Sequence, residues 1–514
     1  MCRLQKSRKG MVVSHIRIEN GLRALVLGCG TSGAVAALFL HSRGWDTTIV
    51  DTAEHPSGLK LFEEVESCPK FVCTEFSEKL VGEKLDLLVL SPGLSPEFSK
   101  AAPLVKAARA LGADVVGEIE LFARELNRLA SYRGYRPIVI GITGTNGKTT
   151  TTVLTGKMAG ATKSVEVAGN IGPSALLALD RHLQANTLPE VWVLELSSFQ
   201  LQTTESLHCT TAAFLNLTED HVDWHGSLAA YEAAKIRIFS ESTIRVLNRD
   251  DAASMRAYVP GLSVTFGDSA PVEAGQWGID KSEGIEWLAY RERPAHVWKS
   301  EKKAALFAEP QDEQLLMPVD ALKIRGRHNA MNALAALALV QAAGLSLGPA
   351  LQVLKTYTGE AHRVQPVLEV NGIEFIDDSK GTNVGAVKAA LEGLGKTGRK
   401  VSIILGGDGK GQDFAPLSDA LAAYATYAVL IGRDADKIEA GIRASAIAIE
   451  HAGTDFEAAV QMAFDHAAAG GVVLLSPACA SWDMFANYAE RSARFVKKAQ
   501  EIARDVQDAG GKGR

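Results

Sequence analysis

Pro137-Ile-Val-Ile-Gly-Ile-Thr-Gly-Thr-Asn-Gly-Lys-Thr-Thr150 is the stretch from which the rest of the chain is placed. Its β-branched run, Ile138, Val139 and Ile140, reads as a buried strand. A glycine-rich turn follows, then Lys148, Thr149 and Thr150, then a helix-compatible run through Met158. Strand, glycine turn, lysine and hydroxyls in that order predict a phosphate-binding loop. Across Gly144, Thr145, Asn146 and Gly147 the backbone N–H groups can close around phosphate oxygens, and the helix N-terminus adds partial positive charge. Lys148 would reach the β- and γ-phosphates, and a hydroxyl of Thr149 or Thr150 would meet Mg²⁺. The spacing is shortened: the first glycine is due at position 142, which is Ile142, and the available one is Gly144. A glycine-rich hairpin with a surface lysine is the plainer alternative, and the order of the parts argues against it.

The chain has 514 residues, 46% of them hydrophobic. Single cores stop growing at roughly 250–300 residues, so two to four domains are expected. The net charge of −6 gives no global attraction to nucleic acid or membrane, though a local basic pocket for an anionic substrate remains open. The six cysteines (2, 29, 68, 73, 209, 479) are scattered without a CxxC pair, which points to a reducing compartment. Met1–Gly10 is basic but no apolar stretch follows it, so it is not read as a signal peptide; a loose tail is expected, with Met11 an alternative start. No apolar run approaches the roughly 20 residues that span a bilayer. A cytoplasmic protein is expected.

Upstream, Ala24-Leu-Val-Leu27 is an apolar strand that runs into Gly28-Cys-Gly30-Thr-Ser-Gly33 and a helix to about His41. A second strand, Thr47–Val50, ends at Asp51. This is GxGxxG in a βαβ setting, with a nucleotide or other phosphate group expected over the helix start at Thr31–Gly33. NAD and a UDP-linked substrate would use the same amides, as would a ligand-free tight turn. Leu85–Leu90 is a third strand ending in Ser91-Pro92-Gly93, where parallel sheets bind ligands. The helical segment Ala101–Ala113 leads out of this domain.

Val116–Leu129 reads as a helix leading to the phosphate loop. Beyond the loop helix, Val167-Ala-Gly-Asn170-Ile-Gly172 is a turn with a polar amide. Val191–Leu194 is a buried strand tipped by Glu195, a carboxylate well placed for Mg²⁺ beside Lys148. The strand Thr211–Asn216 runs into a loop holding His221 and His225. Zinc is disfavoured, because Val222 replaces the glutamate of HExxH and a loop gives no common helical face; His221 near phosphate or Mg²⁺ is preferred. Lys235 lies on the helix Leu228–Phe239. Residues 268–320, with Trp277, Trp287 and Trp298, read as a β-meander or insertion without visible chemistry. Gly326–Asn332 opens an alanine-rich helix to about Ala343, with amides that suit either capping or a nucleotide.

In the last third, His362-Arg363 precedes a hairpin turning at Asn371-Gly372. Asp377-Asp378-Ser-Lys380-Gly-Thr382-Asn383 follows and opens a helix at about Val384. Strands at Val401–Leu405, Ala428–Ile431 and Val472–Leu475 lead into polar loops holding Asp408 and Lys410, and Ser481 to Tyr488. Repeated strand, polar loop and helix predict a doubly wound domain with its loops on one edge. The fold expected is α/β with three domains. A Rossmann-like N-terminal domain covers 1–113. A central P-loop ATPase domain, with a mainly parallel sheet, covers 114–361 and carries the insertion near 268–320. A Rossmann-like C-terminal domain covers 362–514.

Together these motifs resemble the Mur ligase family: Gly144 to Thr149, Glu195-Leu-Ser-Ser-Phe-Gln200, Asn216 to His221, Gly326 to Asn332, and His362-Arg363. The shortened phosphate loop is the form this family uses. Asp377 to Gly385 and Leu475-Ser-Pro-Ala-Cys-Ala-Ser481 resemble its D-glutamate-adding branch. The resemblance implies that ATP phosphorylates the carboxylate of UDP-N-acetylmuramoyl-L-alanine and that D-glutamate attacks the acyl phosphate, in cytoplasmic peptidoglycan precursor synthesis. It further implies that Lys148 clamps the phosphates, that Thr149 and Glu195 ligate one Mg²⁺, and that His221 serves a second with Lys235 in carbamylated form. Asn332, Arg363 and Asp378 would join the loop residues around ATP. Lys380, Thr382, Ser481 and Tyr488 would hold D-glutamate, with Asp408 and Lys410 lining the closing cleft. Asn170, Thr31, Ser32, Thr52, Ser91 and Gly93 would hold the UDP-sugar. A monomer is expected. The sequence departs from the family at Ala53, where an arginine can stand, and at Tyr488, where a phenylalanine does. A nicotinamide-dependent oxidoreductase, a non-catalytic nucleotide-binding module, and a sister or folylpolyglutamate-type ligase are the competing readings.

Overall fold

The computed structural model describes residues 21–292, 313–324, 326–395 and 398–511. The basic tail, Met11 and Trp298 lie outside these. The first sheet consists of β1 (Arg23–Leu27), β2 (Asp46–Asp51), β3 (Lys70–Cys73), β4 (Leu87–Leu90) and β5 (Asp114–Val116), in the parallel order β3-β2-β1-β4-β5. β5 lies past residue 113: after the helix Ala102–Ala110 the chain returns to pair with β4 instead of leaving the domain at once. A strand of three residues, one of them exposed, carries too short a pattern to read locally.

The central sheet consists of β6 (Ile138–Thr143), β7 (Val165–Gly169), β8 (Val191–Glu195), β9 (Thr211–Phe214), β10 (Ile244–Asn248), β11 (Ser263–Phe266), β12 (Gln276–Ser282), β13 (Ile285–Arg291) and β14 (Glu313–Pro318). Its order is β14-β13-β12-β11-β10-β9-β6-β8-β7, parallel from β7 to β12 and antiparallel through β13 and β14. The described part of 268–320 is therefore a meander that extends the sheet, pinned by Trp277 stacked on Tyr290 at 4.4 Å. β6 lies between β8 and β9, with Ile142 opposite Glu195 and Thr143 opposite Phe214. That register gathers the loops after three strands at one carboxyl edge, where open parallel sheets bind ligands.

Alternation along these strands feeds two cores. Val139, Trp192 and Leu194 join the helices Thr31–Ser42 and Glu118–Arg133 on one face. Ile140, Ile142, Val191 and Val193 meet the helix Arg327–Ala342 on the other. The third sheet consists of β15 (Gln365–Val370), β16 (Ile373–Asp377), β17 (Val401–Gly406), β18 (Ala425–Ile431), β19 (Ala448–Gly453) and β20 (Val472–Leu475), in the order β15-β16-β20-β17-β18-β19. Only the β15–β16 hairpin is antiparallel.

Candidate active site

The helix Lys148–Gly160 starts after Gly147, whose φ of 80° suits glycine and whose added Cβ would lie 2.4 Å from Asn332 Oδ1. Lys148 Nζ folds back to donate to the carbonyls of Gly144 and Thr145, both at 2.9 Å. Lys235 Nζ donates to the same Gly144 carbonyl at 2.8 Å, from beneath the loop. Burial lowers the pKa of both amines; Glu195 opposes the shift at Lys148, whereas the Lys148 charge deepens it at Lys235. Lys235 is 1% exposed and lies over the Tyr231 ring.

Asn216, at the end of β9, clamps the loop. Its Oδ1 accepts from Asn146 N at 2.8 Å and its Nδ2 donates to Asn146 O at 3.1 Å. Asn216 stands in the motif Asn216 to His221, and nothing in the neighbouring sequence gives it this part. A contact across 70 positions leaves no local signal.

Glu195 is 2% exposed at the tip of β8. Its Oε1 accepts from Asn170 Nδ2 at 2.7 Å, while Oε2 is buried with no hydrogen-bond partner among the described residues. Asn170, expected with the UDP-sugar, is thus placed on Glu195. His221 and His225 do not lie in an open loop: His221, with φ 55°, caps a one-turn helix Val222–His225 that ends at Gly226. His225 Nε2 meets Ser198 Oγ at 2.9 Å, within an aromatic group of Phe199, Trp224 and Tyr231. His221 contacts the Phe199 edge at 4.7 Å and lies beside Asp220. Burial pushes the His221 imidazole down to about 4; Asp220 opposes this, and the charges of Lys410, Lys148 and Lys235 reinforce it.

The third sheet reaches this edge directly. Arg363 Nη2 donates to Thr149 Oγ1 at 2.7 Å, and Asn383 Nδ2 donates to Asn146 Oδ1 at 3.1 Å. A cavity of about 720 Å³ lies between the domains, with Asn146, Gly147, Thr150, Asn332, Arg363 and Asp378 in its wall. Asp378 accepts from Ser476 Oγ at 2.6 Å, and burial pushes its carboxyl up to about 7. Farther along the edge, Lys380 Nζ lies 5.0 Å over the Tyr488 ring. Asp408 pairs its backbone with Ala480, next to the buried Ser481, and its carboxylate with Arg433. Lys410 N donates to Asp408 Oδ1 at 3.0 Å, and Thr382 N to Lys380 O at 2.9 Å. Gln412, two residues past Lys410, ties these loops together. It donates to Gly409 O and Ala478 O at 3.1 and 2.8 Å and accepts from Val384 N at 3.0 Å.

On the first sheet, Asp51 accepts from Cys29 N at 2.6 Å and from Ala53 N at 2.9 Å. Its carboxylate thus ties the glycine loop to the turn that follows β2. Gly33 is held against Gly28 O, which an added Cβ would meet at 1.9 Å. Ser91 Oγ donates to Gly28 O at 2.8 Å. Thr31, Thr52 and Gly93 are exposed around this edge, and Ser32 is half-buried beside them.

Three family profiles match consecutive parts of the chain: "Mur ligase MurD-like, N-terminal domain" at residues 22–117, "Mur ligase middle domain" at 142–340, and "Mur ligase, glutamate ligase domain" at 362–479. A relative from Ralstonia nicotianae, named UDP-N-acetylmuramoylalanine–D-glutamate ligase, is 49% identical over 94% of this chain and 97% of its own. The chain belongs to the Mur ligase family. Relatives of the same name from Albidiferax ferrireducens and Burkholderia mallei are 46% and 47% identical over 93% of this chain, covering 96% and 97% of theirs. Among solved Mur ligase structures, the UDP-N-acetylmuramate-alanine ligase MurC of Thermotoga maritima superposes with a TM-score of 0.56 at 19% identity, covering 94% of this chain and all of that one. MurF of Thermotoga maritima in complex with ADP superposes at 0.54 and 16% identity, over 83% of this chain and 98% of its own. At such identities the likeness establishes the shared three-domain α/β fold.

Proposed function

We propose that this chain joins D-glutamate to UDP-N-acetylmuramoyl-L-alanine in an ATP-driven ligation of peptidoglycan precursor synthesis. A carboxylate is a poor acyl donor. Transfer of the γ-phosphoryl group to it creates an acyl phosphate, which the amine of D-glutamate attacks; the tetrahedral adduct then expels phosphate and leaves an amide. Phosphoryl transfer needs positioned cations more than covalent partners. Lys148, the loop amides, Asn332 and Arg363 are read as the ATP grip, with Asp378 beside Arg363 in the cavity wall. The observation that carries this reading is the Arg363–Thr149 bond at 2.7 Å, through which the third domain completes the phosphate loop of the second.

Mg²⁺, when bound, would neutralise phosphate charge. The donor set suits it: the buried, unpartnered Glu195 Oε2 and the Thr149 hydroxyl are hard oxygen ligands. Among the described residues no group of three or more His, Cys, Asp or Glu side chains is gathered around a metal position, so phosphate oxygens and water would complete the shell. His221 and Lys235 are read as holders of a second ion. Burial favours the neutral amine of Lys235, the form that takes up carbon dioxide to become an anionic carbamate. Lys380, Thr382, Ser481 and Tyr488 are read as the D-glutamate contacts, with Asp408 and Lys410 at the cleft. Thr31, Ser32, Thr52, Ser91, Gly93 and Asn170 are read as the UDP-sugar contacts, Asn170 while also holding Glu195. No described helix is long and apolar enough to cross a membrane. We read the protein as a cytoplasmic monomer. The test is phosphate release from ATP, expected only when the UDP-linked acid and D-glutamate are both present. NAD-dependent turnover without ATP, or release indifferent to D-glutamate, would overturn the reading.

A further inference from the structure

The loop that follows β4 does two things in quick succession. Ser91 and Gly93 stand at the edge proposed for the UDP-sugar. Ser95 and Phe98 then cross to the central domain and meet the one-turn helix headed by His221. Ser95 is 3% exposed. Its hydroxyl accepts from Phe98 N at 3.1 Å, which shapes its own loop, and spends its single proton on the carbonyl of Trp224 at 2.9 Å. The Phe98 ring lies on Gly226, where an added Cβ would come within 2.4 Å of Cζ and where φ is +79°. The turn is thus gripped from outside at its C-terminal end. From inside, Phe199 packs against Trp224 at 4.6 Å and His221 at 4.7 Å, while Ser198 holds His225. Ser198 and Phe199 follow Glu195 closely in the chain. One small unit therefore joins the sugar-edge loop to both His221 and the strand tip carrying Glu195.

We propose that Ser95 and Phe98 are positioning residues for the ligation: they transmit the placement of the first domain's sugar-edge loop to the His221 turn, so that the reacting centre is aligned when the UDP-linked acid is in place. This rests on the ligase reading above. It separates the two substrates cleanly. The nucleotide cavity is lined by residues of the second and third domains only, so loss of the Ser95–Phe98 grip should leave ATP recognition intact.

The test measures steady-state phosphate release by the full chain for Ser95→Ala, Phe98→Ala and the double variant, with ADP affinity measured separately. Small misplacements distant from the chemistry cost up to about 100-fold. The expected result is a fall of about 10- to 100-fold in kcat for the double variant, with KM for ATP and ADP affinity unchanged. Phe98→Leu and Ser95→Thr, which keep apolar contact and hydroxyl, are expected to recover most of the rate. Unchanged kcat in the double variant would overturn the inference. So would a joint loss of rate and ADP affinity, or no difference between alanine and conservative variants. An unaltered protein that released no phosphate would instead overturn the ligase reading and this inference with it. Normal turnover with indifferent variants would overturn the inference alone.

Discussion

Asn170 and Glu195 lie 25 positions apart and meet through one hydrogen bond of 2.7 Å. That bond satisfies one carboxylate oxygen and orients the other, which is buried and unpartnered. An ionised oxygen left so is costly unless a cation or donor answers it. On the proposed reading of Glu195 as a Mg²⁺ ligand, Asn170 would act on the ion through Glu195. Removing such an outer partner typically costs about 10- to 100-fold in metal affinity or activity. Asn170→Ala is expected to raise the Mg²⁺ concentration giving half-maximal phosphate release by a factor in that range. A rise confined to KM for the UDP-linked substrate, with an unmoved Mg²⁺ profile, would assign Asn170 to the sugar alone. Asp378 gives a second test at this scale. Folded, its carboxyl sits at about 7, against an ordinary value of 3.8. Between these values the folded chain holds a proton that the unfolded chain has released, so this group's contribution to stability falls as pH rises toward 7 and stays low above it. Asp378→Asn removes the cost. Its melting temperature relative to the unaltered protein should therefore climb from pH 4 to pH 8, by about 2–4 °C per kcal/mol relieved, while ligation is impaired. A difference in melting temperature independent of pH would refute the assignment.

Three loops at the carboxyl ends of β16, β17 and β20 are knit by a side chain with no sequence signature. Gln412 uses both faces of its amide: two donations to loop carbonyls and one acceptance from the start of the helix Val384–Gly395. Gln412→Leu keeps the bulk and loses all three bonds. KM for D-glutamate is expected to rise about tenfold, the scale of one or two lost positioning bonds, with KM for ATP moving little. Equal shifts in both constants would mean the loops are not fixed this way. Elements with strong local patterns were legible from the chain alone. The β-branched run of β6, the glycine turn beyond it, the apolar run of β8 with Glu195 at its tip, and the Asn371-Gly372 hairpin each announce themselves within a few residues. β5, with its three residues, and β19, with three exposed side chains in its pattern, do not. The one-turn helix at Val222–His225 was hidden for another reason: left-handed backbone at His221 and Gly226 confines it to a single turn, shorter than any helical periodicity. Asn216 and Gln412 escaped because their partners are gathered by the fold, not by neighbouring sequence.

At the scale of the molecule, the three sheets are not joined in the same way. The core on one face of the central sheet is continuous with that of the first domain. Ala34 and Phe39 share it with Phe122, Val139 and Trp192, and Arg43 reaches Glu125 at 3.5 Å across the same boundary. Among the described residues the two cores of the third sheet, by contrast, draw only on those from Val364 onward. That sheet meets the phosphate loop through polar contacts, Arg363 to Thr149 and Asn383 to Asn146. Hydrophobic burial is cooperative within a core, while a few polar bonds across a cleft leave domains free to move and to melt apart. Calorimetry without ligands is thus expected to resolve two transitions, one for the first two domains together and one for the third. Phe122→Ala, which removes an edge-on contact with Trp192 at 5.0 Å, should lower only the former, by about 3–5 kcal/mol. Phe375→Ala, buried between β16 and the C-terminal helix Tyr488–Gly511, should lower only the latter by a similar amount. ATP should bring the two transitions together, because the cavity proposed for it is walled by residues of both the second and the third domain. A single transition that both substitutions shift equally would mean that the third domain is fused to the others as firmly as they are to each other, and a closing motion of that domain could then play no part in turnover.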